Sequence, residues 1–333
     1  MKKCQSVITV AVTGVGAIIG QGIVKSLRCS KYDLRVVGVD LSDRSPGPYL
    51  VDVFEKKPFI DEANEDYLGF WMDIIKRHGI QLILPGLEID MIFFDRHRKN
   101  LLESGVELAI NSSELIEKTI DKWRFGQELK QIKYPEIPSI RPSTWEEACK
   151  ELGRPPFLLK PLRGNGSRGI VLLHDELDFN YWKIKAGCEW LLQRIVGVPE
   201  EEYTVGTFGL GSGEACGSLI FRRRLSSAGN TLEAAVVHEH PVIESAVDFL
   251  VGNFNPIGPT NFQFRVEGQT AFLLEINPRF SSSNSLRTAF GFNEAQMAVE
   301  YYLFKKKPGR PKVMGGIAWR YAEDYIINAG HNI

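Results

Sequence analysis

Apolar positions along this chain follow two rhythms. In the first third, short apolar runs alternate with stretches of helical period. Residues 7–12 form an apolar run interrupted only by Thr9, as in a strand buried on both faces. A turn with Gly14, Gly16 and Gly20 follows, then a helix over 21–27 and a second apolar strand over 34–39 that ends at Asp40. The pattern continues with a helix over 67–78, a strand over 81–84, a helix over 92–104 and a strand over 106–110. Asn111-Ser112-Ser113 then supplies a cluster of helix N-cap residues. This alternation predicts an α/β lobe with a parallel sheet over residues 1–111.

The rest of the chain reads differently. Helices are expected over 114–119 and 121–132, followed by a linker punctuated by Pro135, Pro138 and Pro142. Ser143-Thr144-Trp145-Glu146 is a capping sequence for a helix that stops before Gly153. Strands over 156–161 and 170–173 flank a glycine-rich loop, and an apolar strand over 190–197 runs into Gly197. Hairpins are expected around Gly211-Ser212-Gly213 and around Glu267-Gly268-Gln269. A hydroxyl-rich loop over 281–285, an amphipathic helix over 293–302, a basic connection over 305–312 and a strand over 316–320 complete the reading. It predicts an α+β region over 112–310, with a small mobile lobe near 155–197, and a C-terminal strand and tail over 311–333.

A chain of 333 residues, 44% hydrophobic, can bury more than one core. Lys+Arg 40 against Asp+Glu 41 gives a net charge of -1, so no overall field draws it to nucleic acid or to an anionic membrane. Five cysteines with no C-x-x-C pair argue against a disulfide framework or a zinc site and point to a reducing cytoplasm. Lys2-Lys3 before an apolar run superficially resembles a signal peptide. However, Thr9, Thr13, Gly14 and Gly16 fit a buried strand and turn better, and no stretch reaches the ~20 apolar residues of a membrane span.

Several residues carry candidate chemistry. The glycine turn with Asp40 beyond it allows a dinucleotide site, which would make the protein an NAD(P)-binding oxidoreductase. The spacing is G-x-G-x-x-x-G, however, and such glycines also serve strand-to-helix packing. Glu88 and Asp90 follow a strand end, where they are either substrate contacts or ordinary N-terminal charges of a helix. Lys160 stands at the end of a strand just before Gly164, Gly166, Ser167 and Gly169, in a loop whose backbone N–H groups can close over phosphates. Strand alternation sends Arg222 and Arg224 to one face, where either could meet a phosphate or a carboxylate. His238 and His240 lack a third metal ligand nearby and read as strand-end residues.

The stretch 260–287 ties these pieces together. Glu275 and Asn277 project from one face of a strand, and Gln263 on the neighbouring strand can add a third oxygen, a set that suits Mg²⁺. The plainer alternative is a half-buried acid paired with Arg279. Leu273-Leu274-Glu275-Ile276-Asn277-Pro278-Arg279, followed by serines, resembles the E-x-N-P-R metal-binding signature of ATP-grasp enzymes. Within that superfamily the chain is similar to the carbamoyl-phosphate synthase large subunit. The resemblance covers residues 112–304 through the order of their motifs and the first lobe more loosely.

The resemblance implies a fold and a set of roles. The fold is a Rossmann-like pre-ATP-grasp domain followed by a two-lobed ATP-grasp domain. Lys122 and Lys160 would hold the α- and β-phosphates, with Gly164, Gly166, Ser167 and Gly169 closing over them. The segment through Gln193 and Ile195 would meet adenine, and Glu202, with Glu200 and Glu201 as neighbouring alternatives, the ribose. Gln263, Glu275 and Asn277 would bind Mg²⁺, or Mn²⁺, and Arg279 would stabilise charge on the transferred phosphoryl group or on the tetrahedral intermediate that follows; Arg224, from strand alternation, is the other catalytic candidate. The implied activity is an ATP-dependent carboxylate–amine or carboxylate–thiol ligase acting through an acyl phosphate on small molecules, as a monomer or homodimer. Ser282 stands where carbamoyl-phosphate synthase carries Arg, so bicarbonate and carbamate chemistry does not carry over. A non-catalytic ATP-binding regulator is the further alternative.

Overall fold

The computed structural model describes residues 7–59, 65–164, 169–226, 229 and 231–327. Strands β1 (Ile8–Thr13), β2 (Leu34–Asp40), β3 (Val53–Lys56), β4 (Leu82–Leu84) and β5 (Glu107–Leu108) form a parallel sheet in the order β3-β2-β1-β4-β5. β1 is central because it is apolar on both faces: Val10, Ala11 and Val12 are all fully buried. One face packs on Tyr67, Trp71, Phe93 and Phe94. The strand expected over 106–110 keeps only two paired residues, and the helix expected over 92–104 breaks at His97 into Glu88–Arg96 and Arg98–Glu103.

Strands β6 (Ser139–Ile140), β7 (Phe157–Pro161), β8 (Val171–Leu173) and β9 (Trp190–Arg194) make a second sheet in the order β6-β9-β7-β8. It has its own core of Ala148, Leu152, Phe157, Phe179 and Trp190. The third sheet is antiparallel and comprises β10 (Glu202–Leu210), β11 (Ala215–Leu225), β12 (Thr231–Val237), β13 (Ile257–Glu267), β14 (Thr270–Asn277) and β15 (Ile317–Trp319), ordered β14-β13-β10-β11-β12-β15. The second face of the first sheet shares a core with this one: Val10, Val12 and Ile23 cluster with Phe208, Phe221 and Phe280. That shared core fixes the first sheet against the third.

Elements that the sequence reading did not include are β3, β12 and the helices Glu176–Ala186 and Pro241–Phe254. The amphipathic helix expected over 293–302 is an α-helix over Glu294–Ala298 that widens into a π-turn over Val299–Leu303. Among the described residues no helix is long and apolar enough to cross a membrane.

The glycine turn after β1 is a packing device. A Cβ at Gly20 would lie 2.1 Å from the Gly14 carbonyl oxygen, and one at Gly86 would lie 2.2 Å from the Thr13 carbonyl oxygen. Asp40 is also committed: Oδ2 accepts the Gly16 N–H at 2.8 Å and Oδ1 the Ser42 N–H at 3.1 Å. An acid reserved for a ribose hydroxyl would not be spent on its own turn, so the geometry favours packing over a dinucleotide.

Candidate active site

Residues from the second and third sheets, with residues 17–19, Gly86 and Leu87 from the segments that follow β1 and β4, line one open cleft of about 2050 Å³. Lys160 reaches it from the end of β7. Its Nζ donates to Gln193 Oε1 on β9 at 2.5 Å, and Gln193 Nε2 donates to Ser139 Oγ at 2.9 Å. Gln193, expected near adenine, is thus the side chain that holds Lys160. Burial pulls the Lys160 ammonium down to about 8, with Glu275 opposing that fall and Lys122 adding to it.

Lys122 opens the helix Lys122–Gln131, whose N-cap Asp121 accepts the Trp123 and Arg124 N–H groups. Its Nζ donates to the Gly164 carbonyl at 2.6 Å, which ties the lysine to the start of the glycine loop. Burial lowers its pKa as well, opposed by Glu275, Glu88 and Asp121. Gly164 has φ +110° and Gly169 φ +74°, so both need glycine's freedom at the loop ends. Gly166 and Ser167 lie outside the described residues.

The carboxylate side comes from β13 and β14. Gln263 pairs with Glu275 and Asn261 with Asn277, while the register slips between Gln263 and Phe264, a bulge that turns both Leu274 and Glu275 to the cleft. Asn277 Nδ2 donates to Glu275 Oε1 at 2.8 Å, so the two share a face as the alternation predicts. Arg279, nine-tenths buried, donates from Nη2 to Glu88 Oε2 at 3.3 Å, and its Nε has no partner among the described residues. Glu88 and Asp90 do sit in the first turn of a helix, yet Glu88 also reaches the cleft through this contact.

One placement differs from the sequence reading, and two of the expected cleft residues are engaged within the chain. Arg224, expected at the cleft with Arg222, is exposed and pairs with Glu233 at 3.0 Å. The inward residue of β11 is Arg223, because Leu219, Phe221 and Arg223 share the buried parity of that strand. Arg223 donates to Glu202 at 2.9 Å and to Gln263 Oε1. Glu202, expected to meet a ribose, is buried and takes Arg265 on its other oxygen at 2.6 Å, so both its oxygens are occupied. Gln263, expected on a metal, likewise has its oxygen engaged by Arg223. Ile195 lies half-buried in the crossing from β9 to β10, and neighbouring Gly197 donates its N–H to Glu267 at 3.1 Å. Glu200 and Glu201 are in an exposed 3-10 turn. His240 caps the helix Pro241–Phe254, accepting the Ile243 N–H.

The sequence reading also missed a fully buried pair. Arg287 donates to Glu294 at 2.8 and 3.2 Å, to Ser281 Oγ at 2.8 Å and to Asn261 Oδ1 at 3.2 Å. Two charges set seven positions apart across the break between two short helices give no local pattern, so nothing in the sequence signalled this anchor of the serine loop.

Comparisons with known proteins agree with this architecture. Residues 189–325 match a family described as ATP-grasp in the biosynthetic pathway with Ter operon. The chain is 27% identical over 216 residues to the carbamoyl phosphate synthase large chain of Methanothrix thermoacetophila, a match covering 59% of this chain and 20% of that one. It therefore spans about a fifth of the length of the first curated relatives it matches. Among solved structures, N5-carboxyaminoimidazole synthetase from Staphylococcus aureus complexed with ADP superposes with a TM-score of 0.72 at 17% identity, over 92% of this chain and 80% of that one. An L-amino acid ligase from Bacillus licheniformis superposes at 0.66 and 16%, over 92% and 75%. With its lysine-bearing small sheet facing the E-x-N-P-R strand of a larger one, this chain has the ATP-grasp fold, and its sequence is similar to the carbamoyl-phosphate synthase large chain.

Proposed function

We propose that the protein is an ATP-dependent ligase that activates a carboxylate as an acyl phosphate and transfers the acyl group to an amine, or to a thiol, releasing ADP and phosphate. The observation that carries this reading is electrostatic. Lys122 and Lys160 are two ammonium groups whose charge burial disfavours, and both face Glu275 in one cleft. A polyphosphate would restore that charge, and the oxygen set beside it suits the cation that accompanies one. The reading divides the chain into a first lobe to 111, an ATP-grasp region over 112–310 and a C-terminal segment. It also takes small-molecule acids and amines as partners, with a cytoplasmic location and a homodimer as further expectations.

The donors fit Mg²⁺ or Mn²⁺: Glu275 brings a carboxylate, Asn277 and Gln263 amide oxygens, and there is no thiolate among them. Asn277 uses its nitrogen on Glu275, which leaves its oxygen for a cation. Gln263 joins the set only if Arg223 releases it. Such an ion, when bound, neutralises charge on the phosphates.

The chain's own groups do the rest by positioning. Lys122 and Lys160 align the polyphosphate, and the glycine loop tethered at Gly164 excludes water. A substrate carboxylate oxygen attacks the terminal phosphorus as the bond to ADP breaks, with Arg279 beside the charge that develops. The nucleophile then adds to the acyl carbon and expels phosphate, which carries away the displaced proton. Because the intermediate is an acyl phosphate, hydroxylamine supplied in place of the amine should yield a hydroxamate that depends on Mg-ATP and on the acid. ADP formation without hydroxamate, across acid pools, would count against it. The closed Glu202–Arg223–Gln263 network favours one second reading, a regulator that binds ATP without turnover.

A further inference from the structure

The second sheet carries a helix with two apolar faces. Helix Glu176–Ala186 turns Phe179 inward, where its ring lies 6.0 Å from that of Trp190 on β9 and joins the core of Phe157 and Ala148. The other face is left in solvent: Leu177 is 80% exposed, Tyr181 52% and Ile184 83%. These three stand at i, i+4 and i+7, so at 3.6 residues per turn they form one stripe along the outer side of the helix. The ring contacts of Tyr181 are local, to Trp182 at 5.3 Å and to Lys185 Nζ at 4.9 Å. Single exposed apolar residues are ordinary, but an aligned row of them marks a face that meets a partner.

The charges beside the stripe say what that partner is. Asp178 and Lys185 are seven positions apart, about two turns, and so flank the same edge of the stripe toward its two ends. Asp178 Oδ2 accepts the His174 N–H at 2.8 Å, and among the described residues neither Asp178 nor Lys185 forms an ion pair. Across a two-fold axis a second copy of the helix runs antiparallel to the first. Asp178 of each copy then meets Lys185 of the other, Leu177 approaches Ile184, and the two Tyr181 rings come together near the axis. A parallel arrangement would instead oppose Asp178 to Asp178 and Lys185 to Lys185. The stripe and its charges are therefore complementary to themselves in one orientation.

We propose that helix Glu176–Ala186 is a self-association surface through which two copies of this chain pair antiparallel. The contact joins the two sheets that carry Lys160 and Gln193, because Phe179 holds the helix on the core of β7 and β9. One helix face per copy falls well short of the ~800 Å² per partner of a standard interface, so the dimer is weak, with a Kd on the order of 100 µM. The inference gives the expected homodimer a surface. It stands apart from the ligase reading, since self-association is measured without nucleotide or substrate.

Sedimentation velocity of the full chain from about 5 µM to about 1 mM reads the equilibrium directly. Wild type should pass from monomer to dimer and stop there, since a two-fold contact closes on itself. Ile184→Asp changes a position in solvent, so it should keep the melting temperature of wild type while weakening association more than tenfold. Lys185→Asp and Asp178→Lys should each self-associate about tenfold more weakly, by opposing like charges. An equimolar mixture of those two variants should pair about as well as wild type, because every lysine again meets an aspartate. Should Asp178→Lys disturb the helix start, Ile184→Asp and Lys185→Asp still decide the matter. A monomer across the whole range would overturn the inference and leave the face to a different protein. A dimer that Ile184→Asp does not weaken, or a mixture that pairs no better than its components, would overturn it as well.

Discussion

Replacing Lys160 with methionine should make the nucleotide-free protein more stable and nearly useless at binding nucleotide. Burial brings the Lys160 ammonium from 10.5 to about 8, which corresponds to roughly 3 kcal/mol against the charged form at neutral pH. Methionine fills similar space without that charge, but it loses the bond to Gln193 Oε1, an offset of about 1–2 kcal/mol. A net gain of about 1–2 kcal/mol should raise Tm by about 2–4 °C. The sign of the pH dependence follows from the same values. Between about pH 8 and pH 10.5 the unfolded chain binds the lysine proton and the folded one does not, so wild-type stability rises with pH across that window. The advantage of the variant should therefore shrink as the pH rises through it. Thermal unfolding at neutral and alkaline pH, with and without Mg-ADP, reads both effects, and the variant should bind ADP roughly tenfold to a hundredfold more weakly. A variant less stable than wild type at neutral pH, a pH-independent difference, or undiminished protection by ADP would refute the reasoning.

Two further predictions concern groups around the cleft. Glu294→Gln leaves the fully buried Arg287 without its counter-ion and should cost about 3–5 kcal/mol, read as a lower denaturant midpoint; a loss within experimental error would show that the pair does not anchor the serine loop. Arg223→Ala should reduce turnover, because Glu202 and Gln263 lose their shared partner, whereas Arg224→Ala should stay within about twofold of wild type since it removes only an exposed pair. Steady-state kinetics on both variants checks this, and the reverse order would restore Arg224 to the cleft.

Much of the cleft was legible because strand ends fix direction. Lys160, Glu275 and Asn277 each stand at or near a strand terminus, where alternation alone says which side chains share a face. Arg223 escaped because three consecutive arginines hide the parity that Leu219 and Phe221 set on the same strand. Helix Pro241–Phe254 carried a full signal: a His240 cap, Pro241 in the first turn, and buried Ile243, Ala246, Val247, Leu250 and Val251 at helical spacing. Helix Glu176–Ala186 carried almost none, since Phe179 is its one fully buried residue among those described. Gln263 and Glu202 sit on the strands expected of them, but which oxygen meets which arginine depends on side chains from three different strands. Arg320 belongs to the same class: its distance in sequence from Ser282 leaves no local trace of their contact.

The most direct test of the account is ADP and phosphate release from Mg-ATP by the purified protein, with pooled carboxylates and amines and without them, for wild type and Glu275→Gln. The account predicts release that depends on the acid pool and falls about 10²–10³-fold in the variant, while the fold is retained. Acid-dependent release by Glu275→Gln at near-normal rate would contradict the assignment of that carboxylate to the centre of the site.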